Sequence, residues 1–529
     1  MKKKSVTARS WRAYKGNSPD NKIVKIKTET SGWGALKTFV VAFLIALQIA
    51  VLIYLHLSFA LAFRWVMIVS LVLTAVTCVY ILSSKKNGLS KAVWIIFVLL
   101  GFSFGYVIYW LSDERIFFYR AKKRYKKVFL KSENYKNDKK KIKYNSKEIE
   151  RDATYLYNAG NFNAHTDNKI TYFSSGSSVF DDIIERLKQA KKFIFIEFFI
   201  VSDGALLNRV ADILTKKAAE GVDVRLIYDD MGSHKTLSGK SKRKLKKAGV
   251  KIKPFNRLVP LFAVIMNYRD HRKIISIDGK IAYTGGINLA DEYVNEKRVH
   301  GYWKDNGVKV EGSAVDEFTL AFLRQWEFLG KSVENYGEFL NCYDSFKNDS
   351  VVIPYADGLD YELPIGKAVY ENMIAAAKER VYIMTPYFIT DETVMNLIIN
   401  KAASGVDVRL ILPDVPDKTF VYGVSRSNAE KLIDFGVKVY TMDNAFVHTK
   451  MVLTENAVAT GSVNMDLRSF YQQFECAIYS NDKEFMDSAM SDFTNTLNLS
   501  TEINDKNMRI KNPLYRMFAG LMQVFAPFM

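Results

Sequence analysis

Only six histidines occur in 529 residues, and two of them head the same short pattern. The first reads His271-Arg-Lys273-Ile-Ile-Ser-Ile-Asp278-Gly279, followed by Thr284-Gly285-Gly286-Ile287-Asn288. The second reads His448-Thr-Lys450-Met-Val-Leu-Thr-Glu455, followed by Thr460-Gly461-Ser462-Val463-Asn464. In each, His and Lys stand two apart at the start of an alternating stretch, so a strand puts both side chains on one face. Such a set suits a phosphodiester. The substrate anion repels nucleophiles, so cations must hold its non-bridging oxygens while charge develops. Lys273 and Lys450 supply the cations, and Asn288 and Asn464 add uncharged donors. One imidazole can attack phosphorus while the other protonates the departing alkoxide and then deprotonates the incoming alcohol. Each His needs a carboxylate to fix its tautomer. Asp305, in Trp303-Lys-Asp305, and Glu475, in Phe474-Glu475, each closely precede an apolar strand in their own copy and are the candidates. Asp278 and Glu455 complete the catalytic motif, more as its structural partners than as groups on the substrate. No metal-ligand cluster is apparent, and the chemistry calls for neither metal nor cofactor.

The elements that must carry these residues also occur twice. Helix 179–191, strand 193–200 and helix 205–219 lead into Gly221-Val-Asp-Val-Arg-Leu-Ile227. Helix 368–377, strand 381–389 and helix 394–403 lead into the same seven letters, Gly405-Val-Asp-Val-Arg-Leu-Ile411. Strands alternating with helices predict an α/β fold with parallel-type sheets covered by helices, built as two tandem repeats forming one pseudo-symmetric catalytic unit.

Composition places this unit next to a lipid phase. The three cysteines, Cys78, Cys342 and Cys476, share no short spacing, which excludes a disulfide framework and a Cys-rich zinc site. The net charge of +19 is concentrated: residues 1–30 carry +7 and residues 121–150 carry +8. Between these blocks, Arg64 is the only charged residue from Thr38 to Leu82. A span needs about 20 apolar residues. That predicts spans over 38–57 and 65–82 and a third candidate over 92–111. A basic N-terminus inside the cell and three full spans would put the second basic block outside, against the positive-inside tendency. The third segment is then re-entrant, or one basic block lies outside. Block 121–150 reads either as a juxtamembrane stretch near anionic headgroups or as a solvated linker. The apolar run 258–266 either dips into the bilayer or is core. The amphipathic end, 512–529, either lies in the interface or packs on the catalytic unit.

The paired HxK motifs, each followed by a Gly-(Gly/Ser)-x-Asn element, resemble the phospholipase D superfamily over about residues 170–505. Glu455 departs from that pattern, which has Asp. The apolar N-terminal spans resemble bacterial cardiolipin synthases. So do Glu197-Phe-Phe-Ile200, Asp229-Asp230-Met-Gly232-Ser233, Tyr268-Arg-Asp-His271 and Asp466-Leu-Arg468-Ser469-Phe470. The resemblance implies joining of two phosphatidylglycerols into cardiolipin and glycerol through a phosphohistidine, with His271 as the usual nucleophile. It implies phosphatidylglycerol and membrane lipids as partners, no nucleic acid, and a multi-pass place in a bacterial cell membrane. Other readings remain: a membrane-anchored phospholipase D or nuclease with water as acceptor, another phosphatidyltransferase of the same superfamily, and an inactive lipid-binding scaffold, against which both intact His/Lys pairs argue. The expected organisation has six parts. A basic segment, 1–37, precedes a membrane region of two or three spans, 38–111, and a basic juxtamembrane linker, 112–164. Two phospholipase D-like domains, 165–345 and 350–505, are followed by a C-terminal helix, 506–529.

Overall fold

The computed structural model describes residues 64–504 apart from 85–87, 114–118, 137–141, 258–267, 331–334 and 359–360. It also describes scattered positions between 43 and 58, and 520, 522 and 523. Most of the expected first span, the apolar run 258–266 and nearly all of the C-terminal helix therefore lie outside the described residues.

The first half supplies nine strands: β1 (Asn168–Phe173), β2 (Phe193–Phe198), β3 (Asp223–Asp229), β4 (Lys251–Phe255), β5 (Arg269–Asp270), β6 (Lys273–Ile277), β7 (Ile281–Gly285), β8 (Tyr302–Lys304) and β9 (Gly307–Gly312). Seven form one sheet in the order β1-β9-β7-β6-β2-β3-β4. The second half supplies β10 (Val352–Asp357), β11 (Arg380–Met384), β12 (Phe388–Ile389), β13 (Asp407–Pro413), β14 (Lys438–Met442), β15 (Ala445–Val447), β16 (Met451–Thr454), β17 (Val458–Gly461), β18 (Met465–Asp466), β19 (Gln473–Ser480) and β20 (Ser500–Glu502). Its main sheet runs β10-β19-β17-β16-β11-β13-β14-β20, which is the first order repeated with one strand added. The sheets are mixed rather than all parallel. β2-β3-β4 and β11-β13-β14 pair in parallel, whereas the His/Lys strands β6 and β16 run antiparallel to their neighbours. The three-residue turns after them, 278–280 and 455–457, force the antiparallel pairing with β7 and β17: a turn this short can join antiparallel strands but not parallel ones.

The repeated heptapeptide has a structural reason in both copies. Gly221 and Gly405 adopt φ of +88° and +87°, which an L side chain resists, and so close the preceding helix. Two residues on, Asp223 holds Arg225 (2.8 Å) and Lys251 (2.8 Å), and Asp407 holds Arg409 (2.8 Å) and Lys438 (2.9 Å). Helices Gly176–Gln189 and Ala205–Ala219 bury Val179, Ile183, Leu187, Leu206 and Val210 against β2 and β3. A shared core joins the halves. Ile274 and Val308 of the first sheet pack in one cluster with Met384, Met451 and Cys476 of the second.

Residues 112–164 differ from the linker expected of them. Tyr119–Glu133 and Lys147–Gly160 are helices. The basic helix buries Tyr125, Val128 and Ser132, spaced for one face, and docks on helix Val315–Leu329 through Lys131–Glu327 (2.9 Å) and Arg324–Glu133. Its charge count conceals that apolar stripe. At the N-terminal end, helix Arg64–Leu82 contains the one stretch among the described residues, Trp65–Leu82, long and apolar enough to cross a membrane. Helix Gly88–Ser112 packs beside it, with Trp110 Nε1 donating to Thr77 Oγ1 (3.0 Å). Its apolar stretch, Gly88–Gly101, is shorter than a span.

Candidate active site

The two His/Lys strands meet across the boundary between the halves. Each is brought there by a short strand that pairs in parallel with the other half. β5 runs beside β19, so the His271 N–H donates to the Phe474 carbonyl at 2.9 Å. β15 runs beside β8, so the His448 N–H donates to the Lys304 carbonyl at 2.7 Å. One residue after each of those carbonyls stands a carboxylate. His271 Nδ1 thus faces both oxygens of Glu475 at 3.0 Å, and His448 Nδ1 faces Asp305 Oδ2 at 2.7 Å. The carboxylates cross over: each orients the histidine of the other half. Sequence reasoning selected both acids but placed them only within their own copies.

Both lysines are buried to 1% exposure, and His271 and His448 to 7% and 6%. Lys273 Nζ donates to the His271 carbonyl at 2.6 Å, and Lys450 Nζ donates to that of His448 and lies 2.8 Å from its Nδ1. Burial drives the electrostatics. It pulls Lys273 down to about 8 and Lys450 down to about 7, against the opposing pull of Glu475 and Asp305. Burial and then the neighbouring lysine cations push His448 down to about 3 and His271 well below its usual value, so both imidazoles rest neutral. Burial also raises Glu475 to about 8, although Lys273 and two serine hydroxyls favour its charged form. For Asp305 the balance reverses: burial would raise it, but His448 and Lys450 outweigh that and hold it below the usual range. The resting site therefore holds two neutral imidazoles and two destabilised ammonium groups, an arrangement suited to an anionic substrate.

Four of the expected site residues stand elsewhere in this plan. Asp278, at φ +54°, accepts the N–H groups of Lys191, Lys192 and Phe193 at 2.7–2.9 Å. Glu455 accepts those of Lys378 (2.6 Å) and Arg380 (3.2 Å). Each locks the far end of its strand to the chain entering the neighbouring strand, and neither touches the histidines. Asn288 was expected to offer a donor to phosphate. Its amide is instead committed: Oδ1 accepts from Ile200 N–H (3.0 Å) and Nδ2 donates to Tyr293 Oη (2.7 Å). Asn464 is buried, its N–H bound to Ser469 Oγ (3.0 Å), and its Oδ1 has no hydrogen-bond partner among the described residues.

Residues to which the motifs assigned no role complete the site. Ser462 and Ser469 both donate to Glu475. Thr284 meets Cys476 at 3.3 Å, and Asn306 Nδ2 meets Thr460 at 2.8 Å, which are equivalent contacts in the two halves. Phe199 stacks edge-on to His271, while Tyr293, Trp303 and Phe446 surround His448. A faint signal for the serines existed in Arg468-Ser469 following the second motif.

Two halves of one strand order, each bringing a His-x-Lys pair to their common boundary, define a phosphoryl-transfer enzyme of the phospholipase D superfamily. A family model described as cardiolipin synthase, PLD-like domain, matches residues 183–326 and 370–497, and the chain belongs to that family. It is 35% identical to a Streptococcus mutans protein over 455 residues, 85% of this chain and 98% of that one. It is 35% identical to a cardiolipin synthase of Alkalihalophilus pseudofirmus, over 67% of this chain and 71% of that one. With cardiolipin synthase 2 of Bacillus cereus the identity is 32%, over 84% and 89%. Among solved structures, phosphatidylserine synthase of Haemophilus influenzae shares the fold at TM-score 0.55 and 16% identity, over 72% of this chain and 98% of that one. The chain is an enzyme of the phosphatidyltransferase type.

Proposed function

We propose that the protein condenses two phosphatidylglycerols into cardiolipin and glycerol. The observation that carries this reading is the pair of crossed His–carboxylate contacts flanked by two buried lysines, in a chain of the cardiolipin synthase family. The donor phosphate lies between the lysines. Its charge offsets Lys273 and Lys450, which lower both histidine pKa values, and so favours protonation of the acid–base imidazole. One imidazole, His271 in the family's usual assignment, forms a nitrogen–phosphorus bond as the bond to the headgroup oxygen breaks. The other, His448, gives its proton to the departing glycerol. A second phosphatidylglycerol then loses a hydroxyl proton to His448, and its oxygen displaces His271 from phosphorus. Atoms and protons return to their starting places. Asp305 and Glu475 hold the tautomers.

In the same reading the chain is multi-pass, helix Arg64–Leu82 being one span, and its catalytic unit comprises 165–345 and 350–505. The deciding assay is purified full-length protein with phosphatidylglycerol as sole lipid. Cardiolipin and glycerol are expected; phosphatidic acid as the main product would make it a hydrolase. A chelator should leave the rate unchanged, and inhibition reversed only by a divalent metal would overturn this chemistry.

A further inference from the structure

The two histidines differ in what stands around them. Two residues before His448 is Phe446, and two residues before His271 is Arg269. Four residues beyond Asn288 is Glu292, and four beyond Asn464 is Arg468. Both replacements put a cation on the His271 side. Arg269 is fully buried on β5, opposite Gln473 in the β5–β19 register. Its Nη1 donates to the Asn256 carbonyl (2.9 Å), while Nε and Nη2 have no hydrogen-bond partner among the described residues. Asp229 lies 3.7 Å from it, but its oxygens already accept the N–H groups of Met231, Gly232 and Asp270 at 2.9–3.0 Å. Arg468 is half-buried and forms no ion pair among the described residues. Its place beside the site is set by its neighbours. Ser469 donates to Glu475, and Gln473, with its amide turned so that oxygen faces the donor and nitrogen the acceptor, links Arg468 Nε (3.2 Å) to Glu475 Oε1 (2.8 Å). A buried guanidinium lacking full compensation, next to a second without a carboxylate partner, is unfavourable unless an anion joins them.

We propose that Arg468, with Arg269 behind it, binds the phosphate of the second, acceptor phospholipid and so selects a lipid alcohol over water. This rests on the cardiolipin synthase reading. Lys273 and Lys450 are taken up by the donor phosphate, yet the acceptor brings a second phosphodiester only one glycerol away from the first. Without its own cations that anion would be repelled by the negative charge on the non-bridging oxygens of the reacting phosphate. Water and free glycerol carry no phosphate, so the subsite favours the lipid alone. The charge of Arg468 acts on both His271 and Arg269, which agrees with its closeness to the site.

The experiment compares cardiolipin formation from phosphatidylglycerol with exchange of labelled free glycerol into phosphatidylglycerol. Both reactions share the donor half-reaction, and only the first has a phosphate-bearing acceptor. Arg468→Gln should lower cardiolipin formation about tenfold or more relative to exchange, the loss expected for one charge-assisted phosphate contact. Arg468→Lys should recover part of it. Equal loss of both reactions would put Arg468 in the donor site, and unchanged cardiolipin formation would remove it from binding; either result overturns the proposal. Wild-type protein that exchanges glycerol but makes no cardiolipin would refute the synthase reading itself.

Discussion

The two halves fold alike and hold their carboxylates differently. Glu475 reaches His271 with a longer side chain and is steadied by the hydroxyls of Ser462 and Ser469. Asp305 reaches His448 with a shorter one and is steadied by its neighbour's N–H, Asn306 at 2.9 Å, and the Trp303 indole at 3.4 Å. The position equivalent to Ser462 is Gly286, where an added Cβ would come within 2.1 Å of Asp305 Oδ1. So the acid with the extra methylene has a serine beneath it, and the shorter acid fills that space itself. The surroundings diverge in the same sense, arginines near His271 and aromatic rings near His448. The two halves present equivalent His–carboxylate pairs in unlike surroundings, and the proposed mechanism uses that difference to give one histidine the nucleophile's role and the other the protons.

Removing either histidine is the most severe test of that division. His271→Ala and His448→Ala should each abolish turnover, measured as cardiolipin formed. With an activated phosphodiester whose leaving group needs no proton, His448→Ala should still accumulate an acid-labile, base-stable lipid adduct, and His271→Ala should not. The reverse pattern would exchange the roles of the halves. Lys273→Ala and Lys450→Ala come next, each costing about 10²–10³ in rate, as removal of an oxyanion donor does. The lysines should also set the alkaline limit. A lysine with a lowered pKa is cationic below that value and neutral above it, so kcat/KM should fall as pH rises through about 7 to 8. Lys450→Arg should move the fall to higher pH.

Smaller effects test the asymmetry directly. Gly286→Ser should displace Asp305 and cost most of the activity, whereas Ser462→Gly should lower it only about tenfold, the scale of one hydrogen bond to a charged group. Equal effects would mean that the two carboxylates are held alike. Least affected should be the strand-end acids. Asp278→Ala and Glu455→Ala should lower unfolding free energy by about 1–3 kcal/mol with little change in rate per folded molecule. Asp278 should cost more, since it accepts three backbone N–H groups to the two of Glu455. Thermal unfolding beside specific activity separates the two quantities.

Much of this molecule is legible along the chain because its signals are local. Residues two apart on a strand share a face, so His271 with Lys273 and His448 with Lys450 follow from period alone. The heptapeptide repeat announces two equivalent units, and positive φ at Gly221 and Gly405 explains why its glycine is retained in both. Residues 119–133 were harder to read, since twelve Lys/Arg in the block around them overwhelm the three-residue stripe that docks the helix. What the chain could not specify by spacing was the partner of each histidine. Glu475 is 204 residues from His271 and Asp305 is 143 from His448, and both pairings arise because β5 and β15 add to strands of the opposite half. Asn288 shows the same limit from the other side, its motif position intact but its amide turned to Ile200 and Tyr293. Motif spacing singled out the groups proposed to do the chemistry. Strand pairing between halves, a long-range backbone contact with no local signature, decided which of them meet.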